Sequence, residues 1–171
     1  MIRKLKTKDL LNFQDFCRTT KTFDNPLSAK KVLNDSVKRS NHALISFEKD
    51  IIEGVLLVTG FIDKNPKKFV KIIAEDIKVA DKLLEAYIWN CKTDLYIRIK
   101  KDNPIFRVLV GDNFYFQVTK KEKDNQSFLT NGFRLVEQKD GDLLLFRKYD
   151  PRFDYTIKQA FTKEDDINDN Q

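Results

Sequence analysis

Glycine is scarce in this chain: there are five in 171 residues, and none between Gly60 and Gly111. Main-chain amides that close tightly around a phosphate usually need glycine at the points of approach. No Walker loop and no GxGxxG turn is present. Histidine is scarcer still, with His42 alone, so a Ser–His or Cys–His couple would have to be built on that one imidazole and HExxH is excluded. Cys17 and Cys91 form no CxxC pair and have no nearby histidine, which reads as two structural thiols without metal or redox work. No apolar run approaches the roughly 20 residues of a membrane span. The basic opening "MIRKLKTKDLLNF" soon meets Asp9, Asn12 and Gln14, not the apolar core of a secretion signal. The expectation is a cytoplasmic protein without membrane association, or a virion-associated one if the source is a phage or other virus.

What is present is ordinary for a globular domain: 41% hydrophobic and 34% charged residues, enough for one core. No repeat and no Gly/Ser linker divides it, so residues 1–150 read as a single domain and 151–171 as a polar, acidic tail. The formal charge is +6, but the closing "FTKEDDINDNQ" is acidic, so residues 1–160 carry about +9. Lys64, Lys67, Lys68 and Lys71 cluster in one stretch; Lys100, Lys101, Lys120, Lys121 and Lys123 follow in others. Such an excess suits an acidic protein partner or, through the Lys-rich face, nucleic acid. The plain reading is lysine-rich solubility.

Along the chain, "MIRKLKTKDLLNFQDFC" predicts a short strand and a helix capped by Thr7. "FDNPLSAKKVLNDSVKRSN" predicts a second helix capped by Ser28. "HALISFEKD" and "IIEGVLLVTGFID" are two β-branched runs that predict an antiparallel hairpin. "KFVKIIAED" follows as a strand, residues 78–90 as a helix, and "DLYIRIKKD" as a strand alternating Leu95, Ile97 and Ile99 against Tyr96, Arg98 and Lys100. Asn103-Pro104 opens a helix that Gly111 ends. "FYFQVTKKE", "FRLVEQ" and "DLLLFRKY" then read as strands, the last two joined by the turn "KDGD". The result is a mixed α/β domain, parallel around its middle strands and antiparallel elsewhere.

This succession resembles the GNAT superfamily of acyl-CoA-dependent N-acetyltransferases over residues 2–148. "DLYIRIKKDNPIFRVLVGDNFYF" is similar to that family's fifth strand, the asparagine opening its fourth helix, and the approach to the next strand. "ALISFEKDIIEGVLLV" resembles the second and third strands, and "NGFRLVEQKDGDLLLFRK" the last hairpin. Asn113-Phe114 and Gly132-Phe133 both resemble the same landmark, which an insertion near residues 115–131 would explain. The resemblance implies a GNAT-like mixed central sheet flanked by helices, whose fourth and fifth strands splay around the pantetheine arm of acetyl-CoA. It also implies a loop of the form Arg/Gln-x-x-Gly-x-Gly/Ala wrapping the pyrophosphate at the third helix. Carried onto this chain, it points to Ile73, Ile77, Lys78, Val79 and Asn103 as the cofactor-binding positions and to Glu75 as a general base acting through water.

Two departures weaken the catalytic half of that reading. The link "EDIKVAD" is about five residues shorter than the family's, holds no glycine, and places Glu75, Asp76 and Asp81 where phosphates would lie. Acidic groups at a helix N-terminus are also plain caps. Seven positions after Asn103, where the resemblance leads one to look for a tyrosine acid, stands Val110; Tyr115 lies beyond the helix. The first expectation is therefore a GNAT-like fold without acyl transfer, serving as a binding or structural module and needing no cofactor. An acetyl-CoA-dependent N-acyltransferase with an atypical loop is the alternative. A third reading is a nucleic-acid platform on "NFYFQVTKKEK", with Phe114 and Phe116 on one strand face ahead of lysines. Tyr87 and Trp89 read as packing residues.

Overall fold

A computed structural model describes residues 1–23, 25–39, 43–60, 68–90 and 92–150. His42, Lys64, Lys67, Cys91 and the acidic tail therefore lie outside the described residues.

The chain opens with β1 (Ile2–Lys4), a 3-10 turn (Thr7–Asp9) and α1 (Leu10–Thr19), followed by α2 (Pro26–Arg39). Thr7 begins the turn but does not cap it. The Asp9 carboxylate accepts the Lys6 amide at 2.9 Å and grips Arg3 with both oxygens, at 2.6 and 2.9 Å. A carboxylate reaches back to a free amide while keeping a guanidinium partner, which a threonine hydroxyl cannot do. Nor does Ser28 cap α2: the helix starts earlier, and the Asn25 side-chain oxygen accepts the Ser28 amide at 2.8 Å. Proline at the first helical position removes a donor that had no partner there, which favours the earlier start.

Strands β2 (Leu44–Glu48), β3 (Ile51–Gly60) and β4 (Lys68–Ala74) form an antiparallel run. Then come α3 (Ile77–Asn90), β5 (Leu95–Lys100), α4 (Ile105–Val110), α5 (Asp112–Thr119) and the hairpin β6 (Arg134–Lys139) and β7 (Asp142–Arg147). The sheet has seven strands in the order β1-β2-β3-β4-β5-β7-β6. Only β4 and β5 are parallel, because α3 carries the chain back between them.

Alternation along the strands divides the core in two. Val55, Leu57 and Ile73 pack against Phe13, Phe16, Cys17, Ala29 and Leu33 of α1 and α2. On the opposite face Leu56, Val70, Ile72, Leu95 and Ile97 meet Leu83, Leu84 and Tyr87 of α3 and Phe106 and Leu109 of α4. Gly54 brings α3 close: a Cβ there would lie 2.8 Å from Val79 Cγ1 and 3.0 Å from Leu83 Cδ1. Cys17 is buried, and desolvation pushes its thiol up to about 11 while the Lys71 charge pulls the other way, as suits a packing cysteine.

Residues 114–119 of the segment read as the strand "FYFQVTKKE" lie in the helix α5, and 120–122 follow it outside any helix or strand. Gly111, at φ +86, ends α4 and turns the chain. A Cβ on that glycine would sit 2.8 Å from the Thr130 amide nitrogen. Tyr115 is buried edge-on to Phe106 with ring centroids 5.7 Å apart, so its ring packs in the core. Phe114 and Phe116 sit two residues apart on a helix and so do not share a face. The stacking platform read from this stretch has no strand to stand on.

Candidate functional site: the wedge between the fourth and fifth strands

The parallel ladder between β4 and β5 records two pairs, Lys68 with Leu95 and Phe69 with Tyr96. Each strand continues to bond its outer neighbour: β4 follows β3 to Ala74, and β5 follows β7 to Lys100. Beyond Phe69 and Tyr96 the two strands therefore diverge. A cleft of about 490 Å³ adjoins the gap, lined by Lys71 and Ile72 of β4, by Ile97, Arg98, Ile99 and Lys100 of β5 and, beyond β5, by residues of the last hairpin.

Asn103 lies at the cleft. Its side-chain oxygen accepts the Ile105 amide at 3.0 Å and its carbonyl the Phe106 amide at 3.0 Å, so it opens α4 as the sequence suggested. The other positions singled out from the resemblance are scattered. Ile73 points into the α1–α2 core. Ile77 and Val79 are half-buried against the α3–α4 core, and Lys78 is exposed. Glu75 stands one residue past β4, exposed to solvent.

The β4–α3 turn is closed by the chain itself. The Asp76 carboxylate accepts the Lys78 amide at 2.9 Å, and its carbonyl accepts the Val79 amide at 3.0 Å. Asp81 is engaged elsewhere, accepting the Asn131 carboxamide at 2.8 Å, while that same nitrogen donates to the Val108 carbonyl at 2.6 Å. Thus α3 is clamped to α4 through Asn131. Val110 is buried at the end of α4.

Basic residues form the rim: Lys71 and Lys100 from the lysine clusters of the sequence, Arg98 from the alternation of β5, and Lys139, which the sequence did not single out. The register of β5, β7 and β6 sets Arg98 beside Leu144 and Glu137, and Lys100 beside Asp142 and Lys139. Lys100 and Asp142 approach to 3.8 Å. Arg98, Lys71 and Lys139 are exposed. The signal was in "LYIRIK": strict alternation puts Arg98 and Lys100 on one face of a strand whose other face is apolar.

A second polar cluster is structural. Arg107, buried in the apolar α4, bonds Asp112 at 2.7 Å and Asp124 at 2.7 and 2.9 Å, and donates to the Gln126 carbonyl at 2.8 Å. Its guanidinium lies 4.9 Å from the ring centres of both Phe116 and Phe128. The Asp124 bonds, opposed by burial, with Asp112 adding to them, hold its pKa above the ordinary arginine value. This cluster fastens the connection between α5 and β6, and the last hairpin begins after Gly132-Phe133, making that pair the landmark and Asn113-Phe114 part of α5.

Strand order, the single parallel pair and the splay together define the GNAT fold, and solved structures agree. An acetyltransferase of the GNAT family from Streptococcus pneumoniae superposes with a TM-score of 0.57 at 14% identity, over 88% of this chain and 99% of that one. PaiA N-acetyltransferase from Thermoplasma acidophilum, solved with coenzyme A, gives 0.52 at 16% identity over 87% and 98%. An acetyltransferase from Salmonella typhimurium that modifies the N-terminal serine of ribosomal protein L7/L12 gives 0.58 at 12% identity over 87% and 94%. The likeness establishes the fold. No protein-family profile matches the chain. No curated protein matches it in sequence. Among the described residues no helix is long and apolar enough to cross a membrane.

Proposed function

We propose that this chain is a GNAT-fold binding module that keeps the wedge between β4 and β5 but not the phosphate seat beside it. One observation carries the reading: the Asp76 carboxylate already occupies the Lys78 amide at the N-terminus of α3. An incoming diphosphate would have to displace that bond and lie beside Asp76 and Glu75. Each carboxylate about 4 Å away opposes a unit of negative charge by about 1 kcal/mol in water-like surroundings and ~4 kcal/mol at a protein surface. Both groups are exposed, so the lower figure applies to each, and no glycine in the turn lets the backbone compensate by closer approach. The residues at this turn do not fit the phosphates of coenzyme A.

Titration calorimetry tests this directly. Coenzyme A and acetyl-CoA are expected to give no saturable heat with the wild-type protein up to about 1 mM, a weakness equivalent to less than ~4 kcal/mol. The Asp76→Gly variant, which removes the cap and restores a glycine, is expected to bind measurably better. Micromolar binding to the wild type would overturn the reading.

The open wedge favours a second reading, an acetyl-CoA-dependent N-acyltransferase, because the cleft flanked by Ile72, Ile97 and Asn103 has room for an extended arm. In that case Asp76 swings away on binding, and the Asp76→Gly and wild-type proteins turn over labelled acetyl-CoA alike with an amine panel.

A further inference from the structure

We infer that the wedge receives an extended acidic peptide as an inserted strand, with apolar and acidic side chains alternating along it; this rests on the binding-module reading above. Three observations converge. The first is the pair of strand edges. Past Phe69 and Tyr96, β4 and β5 each keep one ladder, to β3 and β7, and turn their other edge to the cleft. About four residues on each side, roughly 13 Å at ~3.3 Å per residue, present backbone groups that an added strand can satisfy.

The second observation is the chemistry of the two cleft faces. Towards α3 and α4 the lining is Ile72, Ile97, Ile99 and Leu143, all apolar. Towards the opposite face it is Lys71, Arg98 and Lys100 and, beyond β5, Leu144 and Lys139 of the last hairpin, with Glu137 and Asp142 as the only opposing charges among the lining residues. A strand between them points successive side chains to opposite faces. The complementary ligand therefore alternates apolar with acidic residues, and a uniformly charged polymer does not match it.

Third, the rim cations differ in how they are held. Lys100 has Asp142 at 3.8 Å, whereas Arg98 lies with its guanidinium 5.6 Å from the Phe69 ring centre and, among the described residues, forms no ion pair. Arg98 and Lys71 would face each other if the β4–β5 register ran on, two positions past the last bonded pair at the narrow end of the wedge, with the Lys71 amine 4.9 Å from the Phe23 ring centre. Steering by such a pair favours an acidic segment over a basic one.

The experiment uses a fluorescein-labelled hexapeptide of alternating valine and glutamate, its valine–lysine and valine–serine counterparts, and oligo-uridylate of matching charge. Fluorescence anisotropy with the full chain should saturate for the valine–glutamate peptide. It should weaken at least tenfold in Arg98→Glu/Lys139→Glu, whose thermal midpoint is checked to be that of the wild type. Equal binding of the serine peptide, or tighter binding of oligo-uridylate, overturns the inference. So does an absence of saturation at about 1 mM. Coenzyme A titrated into the same sample separates the two levels. If peptide and coenzyme A are both silent, the peptide is wrong and the binding-module reading stands; micromolar coenzyme A binding removes that reading whatever the peptide does.

Discussion

At the scale of single residues, the side chain with most at stake in the fold is Arg107. It sits within "IFRVLV", where every neighbour is buried and apolar, and it is itself 4% exposed. A charge this deep survives only if its donors are met. Asp112, Asp124 and the Gln126 carbonyl meet them, and the rings of Phe116 and Phe128 each lie 4.9 Å from the guanidinium. Replacing it removes the only cation from a set in which Asp112 also accepts the Phe128 amide. Arg107→Ala is expected to cost about 3 kcal/mol, the lower end for breaking a buried pair, since Asp124 can turn to solvent. For a domain of this size that corresponds to a fall of roughly 10 °C in thermal midpoint. Calorimetry checks it, and a change below about 2 °C would mean that the connection between α5 and β6 holds without the cluster.

At the scale of elements, the decisive contact is α3 on the sheet. Gly54 in β3 faces Val79 and Leu83, and a methyl group added there meets Val79 Cγ1 at 2.8 Å and the Ala74 Cβ at 3.2 Å. The helix or β4 must then shift, and β4 is one wall of the wedge. Gly54→Ala is expected to destabilise by about 1–3 kcal/mol, as overpacking does. Denaturant titration measures it, and an unchanged midpoint would mean that α3 rides higher than its contacts indicate. The elements themselves were largely written in the sequence. The hairpin of β2 and β3, the alternation in "LYIRIK" and the Asn103-Pro104 helix start each follow from a local pattern with one physical solution. Helix α5 was not legible. "NFYFQVT" is aromatic and β-branched, which favours a strand, yet its fold is decided by long-range contacts: Asp112 to Arg107, Tyr115 to Phe106, and Gly111 against Thr130. Asn25 displaced Ser28 as a cap for a nearer reason, because the proline beside it starts the helix. Lys71 and Lys100 stood in the lysine clusters of the sequence, but Lys139 did not, because it reaches Lys100 only through the register of β7, two strands away in space and about forty residues away in sequence.

At the scale of the whole molecule, the sheet is two half-sheets joined by very little main chain. One half is β1 to β4, backed by α1 and α2; the other is β5, β7 and β6, backed by α4 and α5. They share two ladder pairs at one end of the wedge, and α3 packs on β2, β3 and β4 with Asn131 clamping its Asp81 to α4. This arrangement makes a prediction about protection. Within β4 from Val70 to Ala74, amides directed at β3 are bonded while those directed at β5 face the cleft, so slow and fast hydrogen exchange should alternate residue by residue. The same alternation is expected in β5 from Ile97 to Lys100, where β7 supplies the slow set. The contrast should be at least about tenfold, since an amide without a ladder partner needs no opening of the sheet to exchange. Exchange followed by NMR at single-residue resolution reads it out. Uniformly slow amides through both strands would mean that the ladder runs on past Phe69 and Tyr96 and that no wedge exists for a ligand to enter. An inserted strand leaves its own mark: the fast set alone should slow when ligand is added, because the slow set already has its partners in β3 and β7.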